Sequence, residues 1–109
     1  MEINWTNPAI QDLKDFKNIT KMSNPNDYII NLVNNVNLLR DQPHLGRIYT
    51  YFNGYIVRQL VHEQHRIFYY EKEGIIHIVS VVHHRQDIRE RIKYIKNNIT
   101  NFRGEQNKK

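Results

Sequence analysis

Six side chains in the second half of the chain can move protons or hold an anion: Arg58, Glu63, His65, Arg66, His83 and His84, with Arg85 directly after them. Cutting RNA through its 2′-hydroxyl needs a base, an acid and a cation to meet the charge developing on phosphorus. Glu63 or His65 can serve as base, His83 or His84 as acid, and Arg58 or Arg66 as the cation. The two arginines, with His83, His84 and Arg85, suit plain docking onto an anion equally well, because a guanidinium grips phosphate or carboxylate through parallel N–H bonds. Surface pairing of the arginines with Glu63 or Glu71 is the ordinary alternative.

Register decides whether these groups meet. Arg58 and Arg66 stand on neighbouring predicted strands and share a face only if the turn around Glu63-Gln64 holds an odd number of residues. In that case they lie about 13 Å apart along the strands. Side chains alternate over residues 75–84, so His83 and His84 diverge unless the strand ends or bulges between them. His62, His65, His83 and His84 lack regularly spaced carboxylates, so no metal site is expected, and no cofactor. Ser80 has no glycine-flanked elbow around it and is not read as a nucleophile. The chain has no cysteine, which excludes disulfides and thiolate chemistry.

The elements that must position these residues follow from periodicity. Residues 2–5 alternate polar and apolar, as a short strand does. Asn7-Pro8 reads as an N-cap with proline opening a helix, and Ile10, Leu13, Phe16 and Ile19 then fall on one side. Asn24-Pro25 starts a second helix to about residue 41, with Ile29, Leu32, Val36 and Leu39 inward. A short polar loop between the two predicts an antiparallel hairpin. Pro43 and Gly46 release the chain into strands at residues 48–52, 55–62, 66–70 and 75–82. Asn53-Gly54 is a type I′ hairpin signal and Glu73-Gly74 marks another turn. The strands are nearly continuous in apolar character, so both faces of the sheet are expected to be covered. Ile88, Ile92, Ile95 and Ile99 then define a third helix, whose Arg89, Arg91, Lys93 and Lys96 crowd the solvent side. The expected fold is α+β: a short strand and helical hairpin packed on a small antiparallel sheet, then a C-terminal helix. Residues 1–102 form the domain and residues 103–109 a polar tail expected to fray.

A chain of 109 residues supports one core, not two. Its net charge of +5 favours an anionic partner: nucleic acid, an acidic protein segment or a membrane surface. No apolar run nears the ~18 residues needed to cross a bilayer. The first ten residues carry an acid and no apolar stretch, unlike a secretory leader, so a cytoplasmic location is expected.

The ordered set of segments resembles the toxins of the RelE/ParE superfamily from bacterial type II toxin–antitoxin modules. It comprises the opening strand with Trp5, Ala9-x-x-Asp12-Leu13, Pro43-x-x-Gly46-Arg47, Val57-Arg58-Gln59-Leu60-Val61, His65-Arg66-Ile67-Phe68-Tyr69-Tyr70, and Val81-Val82-His83-His84-Arg85-Gln86-Asp87. The resemblance implies a cognate antitoxin that wraps the toxin and neutralises it with an acidic or amphipathic segment, and growth arrest when the toxin is released. RelE-like members cut messenger RNA on the ribosome with several Lys and Arg on the sheet; residues 47–70 here contain no lysine. ParE-like members poison DNA gyrase without a hydrolytic site, and their last strand often ends in His-x-Arg-x-Asp, which residues 83–87 match. The resemblance therefore points first to a gyrase poison and second to a ribosome-dependent mRNA endonuclease.

Overall fold

The computed structural model describes residues 1–107, with side chains through Ile99 except Asn98. The order is β1 (Glu2–Trp5), α1 (Asn7–Ile19), α2 (Pro25–Asn37), a 3₁₀ turn (Leu38–Arg40), β2 (Arg47–Phe52), β3 (Tyr55–His62), β4 (His65–Lys72), β5 (Ile75–His83) and α3 (Ile88–Asn107). This is the expected α+β architecture. Helix α3 carries on through residues 103–107, where the tail was expected to fray; residues 108–109 lie outside the described residues.

The five strands form one sheet in the order β1-β5-β4-β3-β2. The last four pair antiparallel, while β1 lies parallel to β5, a pairing that local pattern does not reveal. The Asn53-Gly54 turn has φ of +51° and +81°, the left-handed pair that a two-residue hairpin requires.

Each face of the sheet is covered, which explains why its strands are apolar throughout. On one face α1 and α2 seal Leu60, Ile67, Tyr69, Ile78 and Val81 beneath Ala9, Leu32, Val36 and Leu39. On the other, Ile95 and Ile99 of α3 cover Val57, Phe68, Tyr70, Val79 and Val82.

Two helix details differ from the expectation. The N-cap of α1 is Thr6, not Asn7, because the Thr6 hydroxyl accepts from the Ala9 N–H at 3.4 Å and donates to the Ile78 carbonyl at 2.7 Å. One side chain thus fixes the helix start onto β5, a tertiary contact that favours it over its neighbour. Ile19, counted among the inward residues, is 79% exposed because the helix ends there.

Strand β1 accompanies β5 only as far as Ile78. Beyond it the Val81 N–H donates to Asp12 Oδ2 at 2.8 Å, and the same oxygen receives Arg91 Nη2 at 2.9 Å and the Ser80 hydroxyl at 3.2 Å. This carboxylate therefore ties α1, β5 and α3 together around the sheet edge. Burial pushes the Asp12 carboxyl above its ordinary range, and the Val81 N–H and the Arg91 charge pull against that. Arg91 corrects the expectation of a solvated cation, since its side chain is only 19% exposed.

Candidate functional site

The turn between β3 and β4 contains two residues, Glu63 and Gln64, with Glu63 at φ +47°. An even count separates the arginines. Arg58 pairs with Tyr69 on the hairpin side of the sheet, whereas Arg66 pairs with Val61 and points to the α3 side. A shared arginine face is therefore excluded. The sequence hid this, because Glu-Gln carries none of the Gly or Asn chemistry that marks a two-residue turn.

Arg58 is half-buried, and its Nη1 donates to the Gly46 carbonyl at 2.9 Å. The Gly46 N–H in turn donates to the Tyr69 hydroxyl at 2.8 Å, and that hydroxyl donates to the Pro43 carbonyl at 2.9 Å. A Cβ on residue 46 would stand 2.5 Å from the Tyr69 oxygen and 2.9 Å from the Gln59 carbonyl, so only glycine fits. The Pro43-x-x-Gly46 segment is thus a backbone seat for Tyr69 and Arg58. Burial raises the Tyr69 phenol, which stays a neutral donor.

The imidazoles gather at the opposite end of the same face. His65 is 2% exposed, with Nδ1 2.8 Å from the Tyr28 hydroxyl and its ring centroid 4.6 Å from Phe16 and 5.1 Å from His83. Burial first, and then the neighbouring His83, His62 and His84, lower its pKa to about 4. A ring so sealed cannot act as a base on an outside substrate, which removes His65 from the catalytic set. His62 is taken up on one nitrogen only: Asn35 Nδ2 donates to its Nδ1 at 3.1 Å, while the buried Nε2 lies 3.4 Å from the exposed Glu63 carboxylate without a hydrogen bond.

Strand β5 ends at His83, so His83 and His84 do not diverge; their ring centroids are 4.4 Å apart. The Arg85 N–H donates to His83 Nδ1 at 3.1 Å, which leaves the ring proton on Nε2, 3.2 Å from Gln64 Oε1. Both nitrogens of His83 are therefore committed, and burial lowers its pKa, with His84 and Arg85 adding to the effect. His84 Nδ1 faces the Gln64 carbonyl at 3.3 Å and so carries the proton. Its Nε2 lone pair is unused among the described residues. Between these two histidines, His84 is the one open to a partner.

Tyr28 was missed by the sequence reading, which turned Ile29 inward. Its hydroxyl sits at the centre of this rim, within 3.3 Å of the His62 carbonyl and the Gln64 N–H as well as of His65. The row Tyr28, Leu32, Val36, spaced by four, held the signal. Among the described residues no three His, Cys, Asp or Glu side chains are placed to hold a metal ion.

The named groups thus occupy three separate places: Arg58 at one end of the hairpin face, the histidines at its other end, and Arg66 on the far face. Against known families, residues 3–88 match the profile described as ParE toxin of type II toxin-antitoxin system, parDE. The chain belongs to the ParE toxin family. It is accordingly the toxin component of a type II toxin–antitoxin pair, and an antitoxin is its partner. No curated protein matches it. The family match spans everything from β1 to the first residue of α3, so it includes both the Gly46 seat and the histidine rim. Among the described residues no helix is long and apolar enough to cross a membrane.

Proposed function

We propose that this ParE-family toxin arrests growth by docking on DNA gyrase rather than by cutting RNA. The supporting observation is the separation just described. With Arg58 and Arg66 on opposite faces and His65 sealed, the two arginines and His65 do not converge on one phosphate as base and cation. Docking needs no such convergence. The exposed turn after β5, with His84 and Arg85, supplies polar and cationic contacts, and Arg66 supplies another on the α3 side.

The test is a supercoiling assay. Purified chain added to gyrase and relaxed plasmid is expected to block supercoiling and leave RNA intact. Normal supercoiling, together with cleavage of translated messages, rejects the proposal in favour of a ribosome-dependent endonuclease. One observation favours that second reading: the unused Nε2 of His84 lies next to Arg85 in sequence, in an exposed turn. Under it, His84→Ala loses about 10²-fold in cleavage, the scale of removing a proton-transfer group.

A further inference from the structure

On the hairpin side of the sheet, the corner formed by β2, the start of β3 and the end of β4 is bare. The cross-strand pairs Ile48–Arg58 and Tyr51–Ile56 share this face. So do Tyr69, opposite Arg58, and Glu71, two residues further along β4. Ile48 is 46% exposed, Tyr51 67% and Ile56 41%. Single exposed apolar residues need no explanation, but apolar residues adjacent in register form a patch. Beside it opens a groove of about 250 Å³, walled by His44, Ile56, Arg58, Tyr69 and Glu71.

Charge decides what fits, because the groove carries one cation and one anion. The Arg58 guanidinium has five N–H donors, and one hydrogen bond, to the Gly46 carbonyl, is made among the described residues. Glu71 is exposed and forms no ion pair with Arg58 or any other group among the described residues. A wholly acidic partner would satisfy Arg58 and be repelled by Glu71. A second copy turned about a two-fold axis brings Glu71 to Arg58 and Arg58 to Glu71, so both charges are matched at once. The shape is self-complementary too, since the projecting Tyr51 stands beside the groove, a knob and a hole on one surface. Two β2 strands would pair poorly through their outer edges. The register of β2 against β3 shifts between Ile48 and Thr50, and such an irregularity interrupts the ladder. Copies that meet face to face avoid that obstacle.

We propose that this chain forms a two-fold dimer through this corner, with Tyr51 of each copy in the groove of the other and Arg58 of each paired with Glu71 of the other. Ile48 and Ile56 surround the two ion pairs and exclude water from them. The contact is small against the roughly 20–30 residues a side of a standard interface, so a Kd on the order of 10 μM is expected. The histidine rim lies at the other end of this face, so the dimer leaves both His84–Arg85 turns open.

Sedimentation equilibrium of the purified chain over a concentration series tests the dimer. Tyr51→Asp is expected to weaken it by about 10²-fold, the scale of losing a buried interface anchor. The control Ile30→Asp, at a 56% exposed position on α2, is expected to leave it unchanged. Arg58→Glu and Glu71→Arg each set like charges face to face at both pairs, and each is expected to cost about 10²-fold. Mixed together, these two variants are expected to associate again, to within about tenfold of the unaltered chain, because every facing pair is then opposite in sign. The hydrogen bond from Arg58 to Gly46 within one copy would not produce that rescue. Thermal unfolding of each variant checks that the fold persists. A chain that stays monomeric at roughly tenfold above the expected Kd overturns the inference. So does a dimer indifferent to Tyr51→Asp, or a mixture of the two charge variants that fails to associate. If the chain alone is a monomer and amide exchange in residues 47–58 slows only when a different protein is added, the corner belongs to that partner and the inference equally falls.

Discussion

At one end of the hairpin-side face His65 is 2% exposed among Phe16, Tyr28 and His83; at the other, Arg58 leans on one carbonyl and keeps most of its donors at a groove. The two ends lie on the same strands, yet they treat charge differently. An imidazole can shed its proton and pack as a flat, half-polar ring, so desolvation neutralises His65 instead of expelling it. A guanidinium has no neutral form to retreat to and must either keep solvent or receive a carboxylate. The lesson is that a cationic residue type on a strand does not by itself mark a binding surface. What matters is whether the group can discharge.

Arg91 offers the severest test of this rule, since it is an arginine that is largely buried. Its Nη2 is held by Asp12 at 2.9 Å and Ser80 at 2.6 Å, while its Nε is buried without a partner. Asp12→Ala leaves that cation unpaired and strips the Val81 N–H of its acceptor. The expected loss is about 3–5 kcal/mol in a urea unfolding titration, the range for breaking one side of a buried pair. A loss below about 1 kcal/mol would mean that water reaches Arg91 freely and that the rule fails where it is strictest.

The histidine end makes a pH prediction. The folded pKa of His65 is about 4, against 6.5 as its ordinary value. The unfolded chain therefore binds the extra proton first, and stability falls as pH drops from about 6.5 to about 4, then levels off. The contribution is up to about 3 kcal/mol at 1.36 kcal/mol per pH unit. His77 and His83 are shifted the same way by burial, so the wild-type slope is steeper than one group gives. His65→Phe is expected to remove most of the difference between unfolding free energies at pH 7 and pH 4.5. An unchanged slope would mean that His65 is hydrated and that the two ends are alike.

Much of the scaffold was legible because it rests on local chemistry. The Asn53-Gly54 turn, the isoleucines of α3 and the proline starts of both hairpin helices each carry their own signal. The site was less legible, since its decisive features are tertiary. The even turn at Glu63-Gln64 lacks a turn signature, and it alone sends Arg66 to the far face. Tyr28 and His65 find each other across 37 residues, and Asp12 meets Arg91 across 79. No spacing rule spans such distances. Gly46 is an intermediate case: its place in the family pattern was visible, but its reason, the pressure of Tyr69 and the Gln59 carbonyl, was not.

Gly46→Ala probes the arginine end directly. The added methyl meets the Tyr69 ring at 2.7 Å and the Gln59 backbone at 2.9 Å, and a carbonyl within a β-ladder cannot step aside. Overpacking of this kind costs about 1–3 kcal/mol and is read in the same unfolding titration. An unchanged stability would mean that the segment before β2 yields and that the Gly46 seat is not tight.

The smallest effect tests the partition itself. Glu63 occupies φ +47°, a region that disfavours a residue with a Cβ by roughly 1–2 kcal/mol. Asparagine tolerates that backbone better, so Glu63→Asn is expected to stabilise the fold by about 0.5 kcal/mol. The contact given up, 3.4 Å from a 66% exposed carboxylate to His62, is too solvated to cancel the gain. For a domain of this size the change is a rise of a few degrees in Tm, about 2–4 °C. The sign carries the argument more than the size does. Stabilisation means that the turn is the two-residue, left-handed one whose parity divides Arg58 from Arg66. A lowered Tm would mean a longer or differently closed turn, free to restore the odd count, and both arginines would then share a face as a single anion site.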